Sequence, residues 1–152
     1  MVRTLVIAYG NPLRCDDGLA WRLVEDLLNR DIPSNEEVIT CHQLTPELAC
    51  SVSGASLVLF IDAAREGVPG DLVCTPIQPK GQVSAFSHEF SPATVLNLAQ
   101  ELYANCPAAF AISLCGECFD HGQTLSPKVT ENLARMAALV HELSNPRLID
   151  DK

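Results

Sequence analysis

Short, uninterrupted apolar runs alternate along this chain with longer stretches whose apolar positions recur at helical spacing. Leu5-Val6-Ile7-Ala8-Tyr9, closed by Gly10-Asn11-Pro12, predicts a strand buried on both faces and then a turn. From Leu19 to Leu28, positions 19, 20, 21, 23, 24, 27 and 28 are apolar and share one broad helical face. Glu37 to Cys41 reads as a second strand, and Thr45-Pro46-Glu47-Leu48 as a helix start, with Thr45 at the N-cap and Pro46 behind it. Ser56 to Ile61 is apolar after its first residue and predicts a buried strand that stops at Asp62. Asp71 to Ile77, bounded by Pro76 and Pro79, predicts an edge or antiparallel strand. Ser91-Pro92 opens a helix to about Tyr103, Ala108 to Cys115 reads as another buried strand, and Ser126-Pro127 opens a last helix to about Leu143.

Strand and helix in alternation, with short connections, specify an α/β fold: a three-layer sandwich in which a twisted, mostly parallel sheet of about five strands carries helices on both faces. Residues 1–144 form a single domain on this reading, and 145–152 a flexible acidic tail. Ligands of such sheets bind beyond the carboxyl ends of the strands. Three segments following predicted strands therefore draw attention: Gly10 to Gly18, His42 to Thr45, and Asp62 to Gly67.

Composition narrows the possible partners. The 152 residues are 47% hydrophobic and 19% charged, which suits one globular domain with its own core. Ten Lys and Arg against nineteen Asp and Glu give a formal net charge of −9. That balance argues against a nucleic-acid partner and against docking on an anionic membrane. No apolar run approaches the roughly 20 residues of a membrane-spanning helix, and the amino terminus enters a strand directly, so a cytoplasmic, monomeric protein is expected. The seven cysteines are an odd number scattered through apolar runs, and most of them read as reduced, buried thiols rather than a disulfide framework. Cys115-Gly116-Glu117-Cys118 supplies half of a structural zinc site at most.

The candidate chemistry is acidic. In Gly10-Asn11-Pro12-Leu13-Arg14-Cys15-Asp16-Asp17-Gly18 a phosphate-binding turn is disfavoured, because two adjacent carboxylates stand where the anion would sit. One of them could cap the following helix; two exceed what capping needs, and the second can point into the crevice. Asp62 ends an apolar strand, where it either initiates a turn or meets a cation at the crevice. His88 precedes the Ser91-Pro92 helix. One imidazole and two carboxylates brought to one rim would form a nitrogen-and-oxygen site for a divalent ion such as nickel, zinc or cadmium. A serine hydrolase elbow is absent from the sequence. Cys15 is a poor nucleophile beside two acids that raise its pKa. His42 is assigned to the far rim and His141 to the surface.

The run from Ile7 to Ala20 closely resembles the amino-terminal signature of the hydrogenase maturation proteases. The resemblance continues through His42 to Leu48, the aspartate after the third strand, His88, Gly116-Glu117-Cys118-Phe119 and Leu125-Ser126-Pro127, and so spans almost the whole chain. It implies an endopeptidase that removes the carboxyl-terminal extension of the NiFe-hydrogenase large-subunit precursor after nickel insertion. The nickel would be carried by that precursor, its protein partner, with zinc or cadmium as possible occupants of the same site. By position, the implied metal-binding residues are Asp17, Asp62 and His88. Asp17 would also serve catalysis, and Asp16 would orient the loop or act in general acid–base catalysis. Ala8 and Ala20 replace glycines common in the family, Cys15 replaces a residue that is usually Gly, and Asp17 stands where some members have Glu. The His42 to Leu48 run looks most like members serving bidirectional, NAD-linked hydrogenases. Two other readings compete: a non-catalytic accessory module that binds metal or precursor, and a nucleotide-binding α/β enzyme.

Overall fold

A computed structural model describes residues 4–30, 32–80 and 90–145 of the chain. The nine main elements follow the predicted alternation: β1 (Thr4–Tyr9), α1 (Leu19–Leu28), β2 (Glu36–Cys41), α2 (Leu48–Ser53), β3 (Leu57–Ala64), β4 (Leu72–Pro76), α3 (Pro92–Tyr103), β5 (Ala108–Cys115) and α4 (Pro127–Ser144). A single 3-10 turn, Cys15–Gly18, leads into α1. The strands form one sheet in the order β2-β1-β3-β5-β4. Four are parallel, and β4 pairs antiparallel with β5 at one edge.

Each strand divides its side chains between two cores, because alternate residues point to opposite faces. Val6, Ala8, Leu59, Ile61, Ile112 and Leu114 pack under α1 and α4. Leu5, Ile7, Val58, Phe60 and Ala109 pack under α2 and α3. The middle of the sheet is therefore apolar on both sides, and Leu5, Ile7, Phe60, Ile61 and Leu114 have no exposed surface. This is the three-layer arrangement that the unbroken apolar runs specify.

Two boundaries differ from the sequence expectation. Strand β3 does not stop at Asp62: its pairing with β5 continues through Asp62–Ser113, Ala63–Leu114 and Ala64–Cys115. The apolar run ends where the side chain leaves the core, while the backbone ladder runs on. Helix α2 begins at Leu48 rather than at Pro46. The amides of Leu48, Ala49 and Cys50 donate to the carbonyls of Thr45, Pro46 and Glu47 three residues back, so the segment tightens into a 3-10 turn before the helix proper. Helices α3 and α4 start as the Ser-Pro pairs predict, with Ser91 and Ser126 at the N-caps and Pro at the first position.

Strand order reverses direction between β1 and β3. The chain leaves β1 through α1 to β2 on one side, then crosses back through α2 to β3 on the other. The carboxyl ends of β1 and β3 thus flank a topological switch point, where open sheets of this type leave a crevice. Tyr9 is the last residue of β1, and Asp62 stands two residues before the end of β3.

Candidate functional site

The turn after β1 is tied down by its own polar groups. The Gly10 amide donates to the Cys41 carbonyl (3.1 Å) and the Arg14 amide to the Asn11 carbonyl (3.1 Å). The Asn11 amide donates to Asp17 Oδ2 (2.7 Å), and the Leu13 amide to Asn11 Oδ1 (2.9 Å). Residue 12 is proline and has no amide to give. These donors are already paired, to the loop itself or to β2, which weighs against a phosphate cradle and the nucleotide reading. Gly10 has φ +142°, and a Cβ there would collide with the Asp17 carbonyl oxygen. The glycine is required by that close approach. Cys15 takes the left-handed φ of +47°, a conformation that costs a non-glycine residue about 1–2 kcal/mol.

The two adjacent aspartates separate. Asp16 is fully buried. Its Oδ2 accepts from the amides of Glu117 (2.8 Å) and Cys118 (3.1 Å) and from the Ser126 hydroxyl (2.8 Å), and its Oδ1 accepts from the Ser126 amide (2.8 Å). Burial pushes this carboxyl up, but the bonds from Ser126, Cys118 and Glu117 outweigh it and hold the group below the usual range. The capping expectation is corrected, since Gly18 stands at the N-cap of α1 with no side-chain cap. The Asp16 carboxylate instead joins the β1 turn to the start of α4. Of the two roles expected for Asp16, the geometry matches loop orientation, because every contact ties it to backbone and Ser126 rather than to the crevice.

Asp17 is half-buried and lines the crevice. Opposite it stands Asp62, held by two hydroxyls: Tyr9 Oη donates to Oδ2 (3.1 Å) and Ser113 Oγ donates to Oδ1 (2.6 Å). Burial raises the Asp62 pKa, the Ser113 and Tyr9 hydrogen bonds oppose the shift, and the Asp17 charge adds to it. The Tyr9 phenol is itself raised, first by burial and then by the Asp62 charge.

The cavity between these acids has a volume of about 440 Å³. All three segments marked by the sequence contribute to its walls: Gly10 and Asp17 from the first, His42 to Thr45 from the second, Asp62 and Ala63 from the third; Tyr9, Pro46 and Phe90 complete the lining. His42 packs edge-on against Trp21 (ring centroids 5.6 Å apart, interplanar angle 75°). The Trp21 indole N–H in turn donates to the Gly10 carbonyl (2.8 Å). The expected third ligand, His88, lies outside the described residues. Among the described residues, no three His, Cys, Asp or Glu side chains converge closely enough to hold a metal ion. Asp17 and Asp62 nevertheless fit a divalent cation chemically: with the donors found among the described residues each keeps carboxylate lone pairs to spare, and both line one cavity.

The sequence reading missed Tyr9 and Ser113. Ser113 is the one hydroxyl in the apolar strand Ala108–Cys115, and that interruption was a usable signal. The cysteines also differ from expectation: only Cys115 is buried, while Cys50 and Cys74 are exposed. Cys115 Sγ faces the Glu66 carbonyl (3.5 Å), whereas Cys118 Sγ faces Asp120 (3.8 Å), so the two thiols of the CxxC point to different neighbours. The Cys15 thiol is raised chiefly by burial, then by the Cys118 thiol and the acids Asp16 and Asp120.

No family model and no curated protein matches the sequence. Solved structures do match its fold. Hydrogenase maturating endopeptidase HybD from E. coli is 24% identical with a TM-score of 0.75, over 95% of this chain and 92% of that one. A hydrogenase 2 maturation peptidase from a Thaumarchaeota archaeon is 23% identical with a TM-score of 0.71, over 93% and 97%. The NiFe-hydrogenase maturation protease HycI from Thermococcus kodakarensis is 20% identical with a TM-score of 0.74, over 95% and 93%. The chain shares its α/β fold with these proteases over nearly its full length.

Proposed function

We propose that this protein is a hydrogenase maturation endopeptidase. It removes the carboxyl-terminal extension of a NiFe-hydrogenase large-subunit precursor once nickel is in place. The observation that carries the reading is the crevice at the β1/β3 switch point, where Asp17 and Asp62 line one cavity within a fold shared with such proteases. Asp17, Asp62 and His88 are assigned to contact the precursor's nickel, a borderline ion that accepts carboxylate and imidazole donors together. Zinc or cadmium would suit the same donors.

The geometry supports a division of labour. Asp62 is costly to ionise in its buried position beside Asp17, and a divalent cation between the two acids offsets both the burial and the repulsion. Asp17 is anchored by the Asn11 amide, so its carboxylate meets the incoming ion without reorganising. Holding the ion fixes the peptide segment attached to it, which turns cleavage into a reaction between prealigned groups. Hydrolysis then adds the elements of water across one peptide bond: oxygen joins the carbonyl carbon, the C–N bond breaks, and the leaving nitrogen takes a proton. Asp17, at the crevice wall, is the carboxylate assigned to that proton transfer, with Asp16 orienting the loop that presents it.

The protein is proposed to act as a cytoplasmic monomer on this single protein partner. The formal net charge of −9, which disfavours an anionic membrane surface, supports that setting. Replacement tests the site. Asp17→Asn, Asp62→Asn and His88→Ala should each abolish shortening of nickel-loaded precursor on a denaturing gel while the far-ultraviolet circular dichroism is kept. Unchanged cleavage by all three variants would contradict the assignment. Binding of the precursor without cleavage by the unaltered protein would instead favour the accessory-module reading.

A further inference from the structure

Tyr9, Asp62 and Ser113 form one row across three adjacent strands. Asp62 and Ser113 are register partners of β3 and β5. Tyr9 lies one residue beyond the Ala8–Ile61 pair of β1 and β3. Their side chains emerge on the α2/α3 face, the face of Ile7 and Phe60, because alternate residues of a strand share a face. The row stands at the carboxyl ends of the strands, where the apolar core gives way to the crevice.

The two hydroxyls divide the carboxylate between them. Tyr9 donates to one oxygen and Ser113 to the other. Among the described residues no other donor reaches either oxygen, which leaves each a second lone pair, and donors anchored on two different strands restrain the carboxylate plane from turning. We propose that Tyr9 and Ser113 are positioning residues that fix the Asp62 carboxylate for a divalent cation entering the crevice. The inference rests on the crevice reading above and adds to it the pair of groups that set the orientation of its most buried ligand. Partners of this kind, bonded to a ligand rather than to the ion, typically change metal affinity by about 10–100-fold when removed.

Titration calorimetry with nickel chloride alone, on the full chain without precursor, tests this. Tyr9→Phe keeps the ring and removes one donor; Ser113→Ala removes the other; Ser113→Thr keeps a hydroxyl. Tyr9→Phe and Ser113→Ala should each weaken nickel binding about 10–100-fold, and Ser113→Thr should recover most of the loss. Thermal melting checks that the fold is kept, and if Ser113→Ala does not fold, Tyr9→Phe decides. A folded Tyr9→Phe variant that binds nickel as tightly as the unaltered protein would overturn the positioning role, provided that Asp62→Asn weakens binding. Failure of the unaltered protein to bind nickel, or binding indifferent to Asp62→Asn, would overturn the crevice reading and the positioning role with it.

Discussion

Asp16 and Asp17 are neighbours in the chain with opposite surroundings, and the difference lies in which donors reach them. Asp16 meets four hydrogen-bond donors from the segment between β5 and α4, whereas Asp17 accepts the Asn11 amide and lines the open crevice. An acidic pair at a turn is visible in the sequence, but its division is not, because the donors to Asp16 lie about a hundred positions away. The same limit hid Tyr9, whose partner Asp62 is 53 residues distant. Asp16→Asn places an amide nitrogen against donors and should cost roughly 2–4 kcal/mol at neutral pH. The sign of its pH dependence follows from the lowered pKa. The Asp16 contribution is fully present above the unfolded carboxyl pKa of about 3.9 and is lost as pH falls through the lower folded value. Denaturant unfolding of both proteins should therefore show a stability gap that narrows on acidification below that point. A gap independent of pH would contradict the role given to this carboxylate.

At the scale of elements, the apolar pattern located β1, β3, β5 and α1, because strands buried on both faces leave unbroken hydrophobic runs, while the Ser-Pro pairs located the starts of α3 and α4. It failed where a chemical role interrupts the pattern. Asp62 looked like a strand end because its side chain is polar, yet its backbone remains in the β3–β5 ladder. A functional residue on a rigid strand is held more firmly than one on a loop, and β3 lies in the middle of the sheet with β1 and β5 on either side. Phe60, two residues before Asp62 and on the same face, is fully buried. Phe60→Ala should destabilise the protein by about 3–5 kcal/mol through lost burial and the cavity left behind. Equilibrium unfolding in urea measures this, and a change below about 1 kcal/mol would contradict the packing described for the α2/α3 face.

The topology of the whole molecule brings Asp17 and Asp62, 45 positions apart in the chain, to one crevice. Crossing from β2 over β1 to β3 opens the crevice at the switch point, and the turns after β1 and β2, together with Asp62 and Ala63 near the end of β3, line it. The alternation of elements and the rule for open sheets made that location readable in advance. The shape of the cavity and its hydroxyl donors needed strand order and register, which no local pattern encodes. A formal charge of −9 weighs against an anionic surface as a partner. The most direct measurement is a processing assay in which the purified protein is given nickel-loaded and nickel-free large-subunit precursor side by side. The account predicts shortening of the nickel-loaded form alone; shortening of both forms at the same rate would contradict it.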